Sequence, residues 1–157
     1  MRKIVLLGLV SLAAAACHSS TNEEPRTAPT PVSAAASVGA TPRSALDAFM
    51  SAVRAQDLQA MSLAWGDKNG PVRDSKTIGR QEMEQREVYL MHCFRHDSFK
   101  VLSETSALDG ERQMQVELTK GTGKRVTDFF LSKGPTRWYV RSASIEPVKE
   151  LCSAKQQ

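Results

Sequence analysis

The apolar positions of this chain change their spacing three times, and each regime predicts a different kind of segment. Behind Met1-Arg2-Lys3, Ile4 to Ala16 is an unbroken apolar or small run of thirteen residues. As a helix it would reach only about 20 Å, short of the roughly 30 Å hydrocarbon core of a bilayer, so residues 1–16 read as a signal peptide and not as a membrane span. Residues 17–41 have no apolar period and are dominated by Ser, Thr, Pro and Ala. A segment of that composition buries too little apolar surface to offset its ordering entropy, and it reads as a tether.

From Thr41 the period becomes helical. Thr41-Pro42 offers a hydroxyl N-cap followed by proline at the first helical position, where its missing N–H costs nothing. Leu46, Phe49, Met50 and Val53 then form one stripe, predicting a helix to about Ala55. Asp57 can cap a second, short helix carrying Leu58, Met61, Leu63 and Trp65, stopped by Gly66. Residues 67–77, rich in Gly, Pro, Asp and Lys, read as a loop. A third helix is predicted from Gly79 to about Cys93, with Met83, Leu90, Met91 and Phe94 on one side.

After His96-Asp97 the period falls to two. Phe99 and Val101, then Met114, Val116 and Leu118, alternate with polar residues, and residues 126–131 and 138–145 supply two more strands. Asp109-Gly110, Gly121-Thr122-Gly123 and Gly134-Pro135 are turn signals. Helices followed by a four-stranded antiparallel meander make an α+β domain over residues 42–152, with the helices on one face of the sheet and residues 153–157 as a tail.

The three cysteines, Cys17, Cys93 and Cys152, leave one unpaired in an oxidising compartment. Ala14-Ala15-Ala16-Cys17 resembles a lipobox, with Ala14 standing where that pattern has a branched apolar residue. Lipidation of Cys17 would remove the odd thiol and leave Cys93 and Cys152 as a pair. Ordinary Ala-x-Ala cleavage, with Cys17 a free thiol, is the alternative. Loss of Arg2 and Lys3 with the signal peptide leaves nineteen basic residues against seventeen acidic, a charge too mild to argue for nucleic acid.

Helix, short helix, loop, helix and then long hairpin strands resemble the cone-shaped nuclear-transport-factor-2-like superfamily, which includes ketosteroid isomerases, polyketide cyclases and many small bacterial lipoproteins. The residues carrying the resemblance are Ala45 to Val53 with Asp57-Leu58 behind it, Met61 to Trp65, and the closing Arg137-Trp138-Tyr139-Val140 strand. The resemblance implies a curved, cone-like sheet. It also implies that a tail leaving the last strand can reach a helix end, which would bring Cys152 to Cys93; two unreacted thiols are the alternative.

Candidate chemistry is sparse. His92 and His96 with Asp97 would share a helical face if the third helix continued, but no second pair completes a tetrahedral metal set, so no metal is expected. Acid–base catalysis inside a cone would need an inward carboxylate and oxyanion donors; Asp128 is the candidate acid, and Tyr89 and Tyr139 are the phenols. Thr127, Phe129 and Leu131 can equally define the buried face and leave Asp128 outside it. Arg112, Lys120, Lys124, Arg125, Lys133, Arg137 and Arg141 gather on the meander, either as a surface for anionic partners or as a solvated face. The expectation is a non-catalytic envelope lipoprotein without cofactor, held to the membrane through its N-terminal lipid, facing the periplasm from the outer membrane, and binding a small apolar ligand or an envelope protein. A cone-fold isomerase or cyclase acting on a hydrophobic substrate is the rival.

Overall fold

The computed structural model describes residues 38–152. The segment expected to be a signal peptide, Cys17 with residues up to 37, and the tail 153–157 lie outside the described residues. The first helix, α1 (Pro42–Ala55), opens on a reciprocal cap: Thr41 Oγ1 accepts from the Ser44 N–H at 3.1 Å, and Ser44 Oγ accepts from the Thr41 N–H at 3.0 Å. It ends at Gln56, which takes the left-handed conformation at φ 56°. Its buried face is Ala45, Leu46, Phe49, Met50, Ala52 and Val53, which contains the stripe read from the spacing. Upstream, Gly39 is buried and its carbonyl accepts from the Trp138 N–H at 2.7 Å, so packing extends into the segment read as tether. Gly39 sits at φ +75°, and a Cβ there would lie 2.8 Å from the Trp138 carbonyl oxygen, so only glycine fits.

Asp57 caps α2 (Leu58–Ala64) by accepting from the Ala60 N–H at 3.0 Å. The following segment carries more structure than a loop reading allows. Two-residue strands β1 (Gly66–Asp67) and β2 (Gly70–Pro71) pair in a tight hairpin, and a 3-10 turn follows at Val72–Asp74. Strands that short have no alternation to detect. Helix α3 (Arg80–Cys93) then runs to Cys93, with Phe94 already outside helical geometry.

The sheet is a meander in the order β3 (Ser98–Ser106), β4 (Arg112–Lys120), β5 (Gly123–Lys133) and β6 (Trp138–Ala143), every pair antiparallel. Register places Phe99 beside Leu118, Val101 beside Val116, and Met114 beside Phe129, which puts the alternating apolar residues on one face. Irregularities interrupt the ladder twice. Leu102 is the extra residue between β3 and β4, and Arg141 is the extra residue between β5 and β6.

The core forms where the buried face of α1 and the end of α3 meet this apolar sheet face. Phe129 is its hub, edge-on to Phe49 at 6.0 Å and tilted against Phe94 at 5.0 Å between ring centroids. At the far end, Val148 is buried and the short helix α4 (Lys149–Cys152) brings Cys152 to Cys93, with the two sulfurs at disulfide distance across a separation of 59 residues.

Candidate functional site

Two cavities flank the segment between α2 and α3, and Ser75 and Ile78 line both. The first encloses about 370 Å³ between Trp65, Pro71, Val72 and Ile78, with Asp67, Lys76 and Arg141 adding charge. Its walls follow from the local fold. Trp65 leaves α2 in extended geometry, bridges to Val140 in parallel, and donates its indole N–H to the Arg141 carbonyl at 3.2 Å. Gly66 lies so close to the Gly70 backbone that a Cβ has no room, and this keeps the hairpin tight. Arg141 is the residue the β-bulge turns outward; its guanidinium is held by Glu111, Nη2 to Oε2 at 2.8 Å, and stands 5.9 Å over the Phe130 ring. The volume is that of a small-molecule site.

The second cavity, about 290 Å³, lies between α2 and α3 and is lined by Leu58, Gln59, Ser62, Arg73, Met83 and Glu87 among others. Glu87 is the unusual member. It is only 1% exposed, and its Oε1 has no hydrogen-bond partner among the described residues. Burial pushes its carboxyl up to about 7, with the nearby Glu84 carboxylate adding to the rise. Neighbouring groups that could have satisfied it are engaged elsewhere. Arg80 pairs with Glu84 at 2.9 Å, and the Ser62 hydroxyl donates to the Gln59 carbonyl at 2.9 Å. Among the described residues Arg73 pairs only with Asp74, loosely, at 3.9 Å. A buried acceptor left unmade costs about 1–3 kcal/mol.

Glu87 escaped the sequence reading although the signal was there. It follows Met83 by four residues and precedes Leu90 by three, which is the centre of the apolar stripe. A carboxylate at a core position of a helix is the anomaly worth marking, because glutamate is almost never fully buried without a partner.

The residues nominated from sequence fall elsewhere. Because α3 stops at Cys93, His92 and His96 do not share a helical face. His96 is buried; its Nδ1–H donates to the Phe94 carbonyl at 2.9 Å and its ring stands edge-on to Phe99. Burial lowers its pKa, against the opposing pull of that carbonyl. Asp97 accepts from the Gly121 N–H at 2.7 Å and so fixes a turn. Among the described residues no group of three or more His, Cys, Asp or Glu is placed to hold a metal ion.

Thr127, Phe129 and Leu131 alternate as buried residues of β5, so Asp128 lies on the opposite face, in register with Gln115, where its Oδ1 is buried without a hydrogen-bond partner among the described residues. Tyr89 is 51% exposed on α3 and Tyr139 is buried, with the Arg137 guanidinium 5.2 Å over its ring; neither lines either cavity. The basic residues of the meander are largely paired: Arg112 with Glu104, Lys124 with Glu117, Arg125 with Glu150, and Arg141 with Glu111. That is the pattern of a solvated face. Among the described residues no helix is long and apolar enough to cross a membrane.

No protein-family model matches the chain, and neither does any curated protein or solved structure.

Proposed function

We propose that this chain is an envelope lipoprotein, cleaved before Cys17, anchored through a lipid on that cysteine, and carrying a cone-like domain that binds a small apolar ligand without catalysing a reaction. The observation that carries the binding reading is the contrast between a filled interior and an open flank. Phe49, Met50, Met61, Phe94, Met114 and Phe129 fill the space between helices and sheet, each at most 1% exposed. The room for a ligand is instead the cavity of about 370 Å³ beside Trp65, Val72 and Ile78. An isomerase of the cone type would need a carboxylate and a tyrosine converging inside the interior; Asp128 lies on the other sheet face, and the cavity holding Glu87 contains no tyrosine.

The anchor is supported by the sequence: a short apolar run, a small-residue cleavage site, a tether, and a cysteine count that balances when Cys17 is acylated. Palmitate labelling and membrane partition of wild type and Cys17→Ser test it. Wild type is expected to label and sediment with membranes, and the variant to do neither; equal partition of the two would overturn the anchor. The binding half is tested separately by Val72→Arg, which places a charge in the apolar wall. Native mass spectrometry of wild type should show a bound small molecule that the variant lacks.

A further inference from the structure

We propose that the Glu87 cavity is a second binding site, for a small molecule carrying an ammonium group and an acidic group a few atoms apart, the ammonium on Glu87 and the acid toward Arg73 and Arg80. This goes beyond the apolar site, because apart from the shared Ser75 and Ile78 the cavity is walled by different residues and its chemistry is polar. Glu87 is sealed from bulk solvent and still has an acceptor oxygen without a partner. An ionised carboxylate is acceptor-only, so what it lacks is a donor, and an ammonium supplies three. A cavity of about 290 Å³ is far more than a single bridging water needs.

The charges around the cavity choose the rest of the ligand. Glu84 and Arg80, one turn apart on α3, hold one another, and Arg73 enters from the 3-10 turn with only a loose contact to Asp74. Facing them, α2 contributes the uncharged Leu58, Gln59 and Ser62. A simple cation would satisfy Glu87 and face the Arg73 guanidinium, with Arg80 shared with Glu84. A simple anion would satisfy the guanidinium groups and meet the Glu87 carboxylate. Only a ligand of both signs is matched at both ends. Two sources share that chemistry, free α-amino acids and the ethanolamine-phosphate headgroup of a lipid. Desolvation holds the empty carboxyl near neutral pH, and an ammonium beside it would restore ionisation.

The test is an NMR titration of the detergent-solubilised full chain, following the amides of residues 58–62 and 73–87. One arm uses the twenty common amino acids and another glycerophosphoethanolamine. Ethylamine, propionate and glycerophosphocholine serve as half-ligand and N–H-less controls. At least one of the first two arms should saturate with a Kd of about 1 mM or tighter. Whichever arm saturates identifies the source, and each control should bind about tenfold more weakly or worse. Glu87→Gln should weaken binding at least about tenfold. The surface double variant Arg73→Ala/Arg80→Ala should do the same, and it leaves the helix interior untouched if the first variant folds poorly. Absence of saturation in both arms, equal binding of propionate or ethylamine alone, or binding indifferent to the double variant would each overturn the proposal.

Discussion

The two sides of this domain are packed in different ways. On the sheet side, His96 donates to the Phe94 carbonyl and the Thr127 hydroxyl donates to the Ser144 carbonyl at 2.6 Å, and Asp128 Oδ1, on the outer sheet face, is the buried oxygen left without a partner among the described residues. The aromatic rings there interlock around Phe129. On the flank formed by α2, the β1–β2 hairpin and α3, the chain leaves two cavities and a buried carboxyl with an unpaired oxygen. The difference between the two sides is therefore one of packing: aromatic rings fill the first, and cavities open beside the unpartnered carboxyl of the second. Leucine at the position of Glu87 would leave no acceptor unpaired, so the glutamate costs stability where it stands.

The comparison can be broken first at its stable side. Phe129→Ala should destabilise the domain by about 3–5 kcal/mol, since it removes the hub of the core and leaves a cavity. Urea denaturation would show this as a lowered midpoint; a change below about 1 kcal/mol would mean that the packed side is not what holds the fold. Next comes the covalent link. Replacing Cys93 and Cys152 by alanine should cost about 2–4 kcal/mol, mostly by freeing a 59-residue loop in the unfolded chain. Two alkylatable thiols in folded, air-exposed protein would show that the bond does not form.

On the other side the expected sign reverses. Glu87→Leu should stabilise the domain at pH 8, by about 1–3 kcal/mol, because it removes an unpaired buried acceptor. The effect is tied to pH. The folded carboxyl is raised from 4.5 to about 7, so between those values the folded state holds a proton that the unfolded chain has lost. Stability therefore falls as pH rises through that window, by on the order of 3–4 kcal/mol at about 1.4 kcal/mol per pKa unit. His96 works the other way. Its folded pKa is lowered below 6.5, so stability is present above that value and is lost as pH falls through it. Wild-type urea midpoints should show both trends superposed, and Glu87→Gln should leave only the acid-side loss. The smallest effect is expected at the surface: Arg112→Ala, which breaks a half-exposed pair with Glu104, should change stability by about 0.2–1 kcal/mol.

What could be read beforehand followed from repetition. Leu46, Phe49, Met50 and Val53 repeat at helical spacing and are all buried. Met114, Val116 and Leu118 alternate and all face the core. The Thr41 and Asp57 caps are single residues with a strong local preference, and both cap as expected. What could not be read is what depends on one residue in one place. The bulge that turns Arg141 toward a cavity leaves no trace in the spacing of β6, because it is a property of the pairing and not of the strand. The β1–β2 hairpin is too short to alternate. Glu87 was within reach, since the stripe of α3 passes through its position, but a stripe read only by its apolar members skips the member that breaks it.

The ionisation of Glu87 itself tests the account most directly. The side-chain carboxyl ¹³C resonance of Glu87, assigned by comparison with Glu87→Gln, can be followed through a pH titration of the ligand-free protein. A midpoint of about 7 is the result the account predicts. A midpoint near the ordinary glutamate value of 4.5 would contradict it, because the carboxyl would then be solvated or partnered and the cavity would have no unmet acceptor at its wall.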